Sequence, residues 1–561
     1  MQRKWKQKKP KLSYSDNASI IEKLAAINGI KEIGRFINPT RDELHDPYLL
    51  KNIEEAANRI IKAVKTGENI AIHADIDADG VCSAAVMYRF LKKFTDNITY
   101  FHAQRSRGHG IHQSISDIPY GTDLLIILDS SSNEEESCKK IFERGIDIVI
   151  LDHHEIENKN EYCILVNPQQ EGCQYPNKQA SGVLITWKVC QVIEDTLGGN
   201  FTDSLIDLVG LGLYSDQMSM LEYENRYILK HTIENINNKG IKAILNLLRK
   251  DIGKLNANDF GYSVMPFVNA ATRLDKIEYV LDLLISDDDS LIEQRVKEIK
   301  KLNEQRKQKQ KETIETIVEY IDENDKCIVL VEPELGKGFN GLVAGDIANA
   351  YQRPTIILGN ALKEKDEYHG SFRSVGFFKF LDFVREIPEV IFAGGHQYAG
   401  GLGIKKVNLE KFKQELNERL KDVDFENVVS YELNLHHQEI DEPFIELINS
   451  FYKVTGKGFS EGKFLIEDMY VLTKDIIGSG DTLKLGLCPV SNTWFDDIEN
   501  IKPTLIGMKF RADQETINKI KTGDVIDLIG SLNINEFVRW RPQKEIIKTL
   551  QVFIEDFRHS K

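Results

Sequence analysis

Three short apolar runs in the chain each stop at an acid. Ile70–Ala74 leads into Asp75, Asp77 and Asp79, Leu124–Leu128 into Asp129, and Ile146–Leu151 into Asp152, His153 and His154. Helical patterns separate the runs, so they read as parallel strands joined by crossover helices. In such a sheet the carboxyl ends of the strands share one edge, where ligands bind. The acids therefore converge. Asp and Gly at a strand end are ordinary turn residues. Yet three carboxylates at alternate positions beside His73 repel one another unless cations neutralise them. So many convergent ligands point to a centre holding two metal ions.

The length, 561 residues, predicts several domains. No apolar stretch is long enough for a membrane span, and the basic start 1–12 lacks the apolar core of a signal peptide. Seven scattered Cys without CxxC pairs argue against a disulfide framework or a thiolate zinc site, and the expected location is cytoplasmic. A net charge of -15 excludes a uniformly basic nucleic-acid binder but leaves room for a local basic groove.

Residues 1–65 suggest a helical cap on the first domain, with Asn17 and Asp46 as helix-start residues. Residues 66–225 hold the acidic strands and a further strand, Ile98–Ala103. Arg105 and Arg107, beside a Gly-rich turn, suit either phosphate contact or a solvated loop. An apolar helix over Leu205–Tyr214 ends at Asp216, with Asp203 and Asp207 expected at its cap and first turn. Residues 226–325 are helical, and the basic middle of 288–324 fits a solvated bridging helix or a strand-facing one. Residues 326–425 return to alternating strands and helices. There Gly370-Ser-Phe-Arg-Ser374 and Gly394-Gly-His-Gln-Tyr-Ala-Gly-Gly401 suit a phosphate pocket. Residues 430–561 predict a small β-barrel with turns at Gly478–Asp481 and Lys521–Asp524 and the aromatics Phe537, Trp540 and Phe553. His436-His437 reads as a surface strand pair.

Taken together, His73-x-Asp-x-Asp-x-Asp-Gly80, Asp129, Asp152-His-His154 and Asp216 resemble the motifs of the DHH phosphoesterase superfamily. Further segments resemble its RecJ branch of single-strand-specific exonucleases: Ile37–Thr40, His45–Pro47, Val166–Pro168, Ser181–Val183, Glu224–Arg226, Asn269–Arg273, Gly370–Ser374 and Gly394–His396. The resemblance runs from Asn38-Pro39 into the C-terminal segment. Phe267, Thr272 and His109 depart from the usual Arg, Gly and Tyr. A Trp-His pair is missing near Leu335-Gly336, as is a Pro-Phe-Gly turn near Val454–Gly456. A divergent, for instance phage-encoded, member would fit.

The resemblance implies an α/β fold: a parallel-sheet DHH domain joined by a long helix to a smaller α/β DHH-associated domain, then an OB-like β-barrel. The implied boundaries are 1–65, 66–225, 226–325, 326–425 and 430–561. It further implies two divalent ions, Mn²⁺ preferred and Mg²⁺ or Co²⁺ possible. His73, Asp77 and Asp129 would hold one, and Asp79, Asp129, His153 and Asp216 the other. Asp75 and Asp152 would orient ligands, and His154 would donate to the scissile phosphate. Arg105, Arg107, Asn269, Arg273, Ser371, Arg373 and His396 would grip phosphates, and Arg226 would guide the strand. The expected activity is 5′-to-3′ hydrolysis of single-stranded DNA to 5′-mononucleotides by a monomer, with a single-strand-binding protein or helicase as partner. The alternatives are a phosphodiesterase for small molecules or oligonucleotides, disfavoured by the C-terminal segment, and a non-catalytic replication scaffold, disfavoured by the complete ligand set.

Overall fold

The computed structural model describes residues 3–362, 364–376, 378–425, 427–478, 480–494, 501–539 and 545–560. The chain divides into two compact units, residues 40–425 and residues 1–39 with 426–561.

The larger unit carries two sheets. The first is wholly parallel, in the order Ile98–His102, Ile70–Ala74, Leu124–Leu128, Asp147–Leu151 and Ile164–Val166. All five residues of Ile70–Ala74 and of Leu124–Leu128 are buried, which is why those runs, His73 apart, are apolar instead of alternating. The chain leaves Ile70–Ala74 for one neighbour and returns to form the other, so the crevice where strand order reverses lies between the ends of Ile70–Ala74 and Leu124–Leu128. Helices Ala78–Leu91, Gly182–Leu197 and Ile206–Ser215 are buried over most of their surface. Beneath them Glu224 is fully enclosed and accepts from Tyr175, Asn177, the His45 amide and the Lys188 ammonium, so this buried acid is fully partnered.

The second sheet runs Val390–His396, Ala399–Lys405, Glu367–Arg373, Thr355–Asn360 and Ile328–Val331, with only the last two parallel. Its core gathers Val329, Ile356, Leu358, Phe372, Phe380 and Leu402. The 29-residue helix Asp289–Ile317 leads into this sheet. Its basic middle is laced with internal pairs, Lys297–Glu293, Arg295–Glu298, Lys300–Glu304 and Lys311–Glu315, as on a solvated helix.

In the smaller unit Phe464–Ile477, Thr482–Pro489, Leu505–Lys509, Glu545–His559 and Val525–Arg539 pair in that order. Phe464–Ile477 pairs again with Val525–Arg539, so the pairings return on themselves. Turn residues fall at Gly478, Gly480 and Asp481 and at Thr522 and Gly523, as expected, while Ser479 lies outside the described residues. Phe537 is exposed, Phe553 packs on Phe510, and Trp540 lies outside the described residues. Among the described residues no helix is long and apolar enough to cross a membrane.

Several expectations need correction. The stretch up to Pro39 belongs to one compact unit with the C-terminal segment, where Lys4–Gln7 is a strand paired in parallel with Val428–Tyr431. Phe36 also stacks edge-on against Phe459 at 4.9 Å. The helix Ile20–Asn28 starts at Ser19, through a capping box with Glu22, and not at Asn17. Asp46 does cap, but a 3-10 turn. Asp207 accepts the amides of Asn237 and Asn238 as well as that of Leu208. Asp203 pairs with Arg41. His436 opens a 3-10 turn, His437–Glu439, and is not in a strand. Both glycine-rich segments lie in strands of the second sheet, where neighbouring backbones and Phe372 leave no room for a Cβ at Gly370 or Gly400.

Candidate metal centre

Each acid comes to the crevice through its local backbone. Asp77 caps the helix Ala78–Leu91 by accepting the amides of Asp79 and Gly80. Asp79 accepts Gly182 N–H at 2.6 Å and Val183 N–H at 3.2 Å, at the start of a second helix. Asp129 sits in the left-handed region, at φ 60°, with its amide on Leu151. That turn aims its carboxylate back across the sheet edge. Cβ atoms at Gly182 and Gly212 would collide with Asp129 and Asp79. Small residues thus shape the cradle.

The donors converge. Nε2 of His153 lies 3.2 Å from Asp129 Oδ1 and 3.3 Å from Asp216 Oδ2, and Asp79, His153 and Asp216 can present ligand atoms within 4.8 Å of one another. Asp79 and Asp129 are within hydrogen-bond reach of each other. The His153 ring is hydrogen-bonded to the Ala180 backbone, which leaves Nε2 facing the acids, an arrangement common for metal-bound imidazole. His73 is fully buried, and neither ring nitrogen has a hydrogen-bond partner. An orphaned imidazole of this kind is costly unless something binds it.

The electrostatics say the same. Burial first, then Asp77, pushes Asp75 and Asp79 up to about 7. Asp129 is raised further by burial and by Asp79, Asp77, Asp216 and Asp75. Burial lowers His73 to about 3 and His153 to about 4, so both stay neutral and able to ligate. These donors fit a divalent cation: oxygen and imidazole ligands, deprotonated on binding.

The surrounding acids and His154 are held by hydrogen bonds. Asp75 accepts Gly110 N–H at 3.0 Å. Asp152 accepts from Ser132 Oγ at 2.6 Å and from His154 Nδ1 at 2.7 Å, and Asn167 donates to both Ser132 Oγ and the His154 carbonyl. Asp152 is held below the usual carboxylate range, burial notwithstanding, by its bond to His154. Partial desolvation opposes charge on His154, but the Asp152 bond outweighs it and raises His154 to about 10. His109 lies near enough to His154 to feel its charge, and burial lowers its own pKa.

Beside the crevice, Arg105, Arg273 and Arg373 are brought together, and a fourth, Arg306, joins them from the long helix. Burial, with repulsion from the other three, lowers Arg273 to about 9. Arg273 donates to the Gly338 carbonyl at 2.6 Å, and Arg105 to the Ile76 carbonyl at 3.0 Å with its buried Nε unpartnered. Arg306 is oriented by Asn303 and by Gln310, which holds Asp346. An anion among these guanidiniums would relieve their mutual repulsion. Ser371 lies two residues before Arg373 on one strand, and Asn269 lies four before Arg273 on one helix. His396 ends the edge strand Val390–His396, separated from that of Arg373 by Ala399–Lys405.

Four residues noted in the sequence take other places. Arg107 is exposed and paired with Asp117 at 2.7 Å, outside this cluster. Arg226 is buried in the helical layer and cannot guide a strand. Phe267 and Thr272 are buried within the helix Met265–Arg273, so these departures fill core positions. Ser132, Asn167, Gly182, Gly212 and Arg306 were not singled out by role from sequence. Their spacing resembles that of ordinary turn or helix residues, and only the fold shows what they touch.

Residues 69–213 match the DHH family, N-terminal domain, and residues 324–422 the DHHA1 domain. The single-stranded-DNA-specific exonuclease RecJ of Bacillus subtilis is 28% identical over 545 residues, 93% of this chain and 66% of that protein. The SPbeta prophage-derived protein YorK of the same strain is 27% identical, over 95% of this chain and 96% of its own length. The crystal structure of RecJ with Mn²⁺ from Thermus thermophilus superposes with a TM-score of 0.76 over 96% of this chain and 76% of that one, at 19% identity. With the acid-rimmed parallel sheet and the second sheet in place, the chain is RecJ-like, carrying a DHH domain followed by a DHHA1 domain.

Proposed function

We propose that the chain is a metal-dependent exonuclease that hydrolyses single-stranded DNA from its 5′ end to 5′-mononucleotides. One juxtaposition carries this reading. A carboxylate and imidazole cluster that needs cations lies in the same unit as four guanidiniums suited to phosphate. The RecJ relative's name states single-stranded DNA as its substrate, and the Thermus structures hold Mn²⁺ or Mg²⁺.

His73, Asp77 and Asp129 would hold one ion, and Asp79, Asp129, His153 and Asp216 a second. Mixed imidazole and carboxylate donors favour Mn²⁺. When bound, such ions supply Lewis acidity toward water and the phosphoryl oxygens. Asp75 and Asp152 hold the ligand loops in place. His154, kept protonated by Asp152, presents N–H to an oxygen of the scissile phosphate. Arg105, Arg273, Arg306 and Arg373, with Ser371, hold the terminal phosphate, and Asn269 and His396 border it. Arg is suited to this because its planar fork takes phosphate oxygens two at a time.

The division into 66–225 for hydrolysis, 226–325 as connector and 326–425 for end recognition belongs to the same proposal. In residues 430–561 the returning strand pairings and exposed Phe510 and Phe537 support an OB-like barrel that stacks bases of the trailing strand.

The test is digestion of end-labelled single strands in Mn²⁺, with and without a 5′-phosphate. Labelled mononucleotide should leave 5′-labelled strands first. Release first from 3′-labelled strands would overturn the polarity, and full activity after chelation would overturn the metal centre.

A further inference from the structure

Cys138 lies in the apolar cluster on one face of the parallel sheet, and Cys163 packs against that cluster within reach of the Cys138 thiol. All seven cysteines are free. Among the described residues no other two are in such contact. Cys138 is buried on the helix Glu135–Phe142, where Asn160 donates to its Sγ at 3.2 Å. Cys163 is half-buried and directly precedes the strand Ile164–Val166. A surface depression of about 550 Å³, lined by residues 133–137, Asn158, Lys159 and Glu161, opens between the segments that carry the two thiols.

We propose that these thiols are a redox-modification site, closing to a Cys138–Cys163 disulfide when a small disulfide or peroxide reaches Cys163. Bonding requires the two sulfurs to close to about 2.05 Å. With a small disulfide as oxidant, Cys163 attacks one of its sulfurs and displaces one thiol. Cys138 then attacks the Cys163 sulfur and displaces the second. The two protein thiols lose two electrons, the small disulfide gains them, and both protein protons leave on the released thiols. Cys138 and burial hold the Cys163 thiol well above its ordinary pKa, which makes the first attack the slow one, and in the mixed disulfide Asn160 still donates to Cys138 Sγ for the second.

The link would close a loop containing the strand Asp147–Leu151 together with Asp152, His153 and His154. Cys138 follows Asp129 by nine positions, and Cys163 follows His154 by nine. The segments that follow Asp129 and His154 would thus be tied to each other. This site is independent of the proposed hydrolysis.

The experiment is incubation of the full chain with oxidised glutathione, followed by peptide mapping under non-reducing conditions. A linked peptide pair bearing Cys138 and Cys163, 2 Da lighter than the two free peptides and lost on dithiothreitol treatment, is expected. Titratable thiols should fall by two from this link. Cys163→Ser and Cys138→Ser each abolish the pair. Glutathione retained on Cys163 with no linked pair, or linkage through other cysteines instead, overturns the proposal, and the wild-type map decides this even if a variant misfolds.

Discussion

The carboxylate of Asp129 fills the space that a Cβ on Gly182 would occupy. Gly182 therefore sets how close the second helix comes to the strand-end acids. Gly182→Ala should move Asp129 off position, at an overpacking cost of about 1–3 kcal/mol. Because small displacements of catalytic groups cost up to about 10²-fold in rate, nuclease activity should fall by that order. Steady-state hydrolysis within twofold of the unaltered protein would refute the assignment.

Asp129→Asn should separate function from stability. The buried carboxylate is repelled by Asp79, Asp77, Asp216 and Asp75, so the amide should raise the melting temperature in chelator. Hydrolysis in Mn²⁺ should drop by several orders of magnitude, since the residue is positioned to serve both ions. Melting curves in EDTA paired with rates in Mn²⁺ give the check; a lower melting temperature would mean that the acid is structural.

The elevated carboxyls predict a pH signature. Asp75 and Asp79 titrate near 7 in the metal-free fold and near 3.9 when unfolded. A group raised on folding contributes stability that is complete below the unfolded pKa and lost as pH climbs through the folded one. Metal-free protein should therefore lose stability between about pH 4 and 7. Mn²⁺ should restore it by about 2.7 kcal/mol at a hundredfold excess over Kd. Calorimetry at pH 7 should find protons released on binding; an absence of proton release would contradict the raised values.

Arg306→Ala and Arg107→Ala should behave differently although both remove one basic charge. Arg306 belongs to the guanidinium cluster, and its loss should weaken binding of 5′-phosphorylated strands by about 1.5–3 kcal/mol. Arg107 is in an exposed pair with Asp117, so its change should cost about 0–1 kcal/mol. Titrations with 5′-phosphate and 5′-hydroxyl oligonucleotides discriminate; equal effects of the two substitutions would remove Arg306 from the site.

Much of the parallel sheet and its acids was legible because the pattern is local. Five apolar residues and then an acid, repeated across crossover helices, can be read without knowing any contact. Arg306 was not legible as a ligand: Lys300, Lys309 and Lys311 look the same in sequence, and only docking against the second sheet singles it out. The glycine-rich stretches carry a packing role that the sequence does not display. At Gly370 and Gly400 the missing Cβ makes room for adjacent strands and Phe372. Arg226 was misread, a charge presumed to face a substrate that the helical layer buries.

The pairing of Lys4–Gln7 with Val428–Tyr431 has a consequence for synthesis. The first strand emerges from the ribosome about 420 residues before its partner, a wait of roughly 20–80 s at 5–20 residues per second. Throughout that interval its amides and carbonyls have no strand to bind, and an apolar edge in that state would recruit other chains. Lys4, Lys6, Lys8 and Lys9 make the segment self-repelling and well hydrated. The basic start is thereby a safeguard for a nascent edge, needed most before the rest of the protein exists.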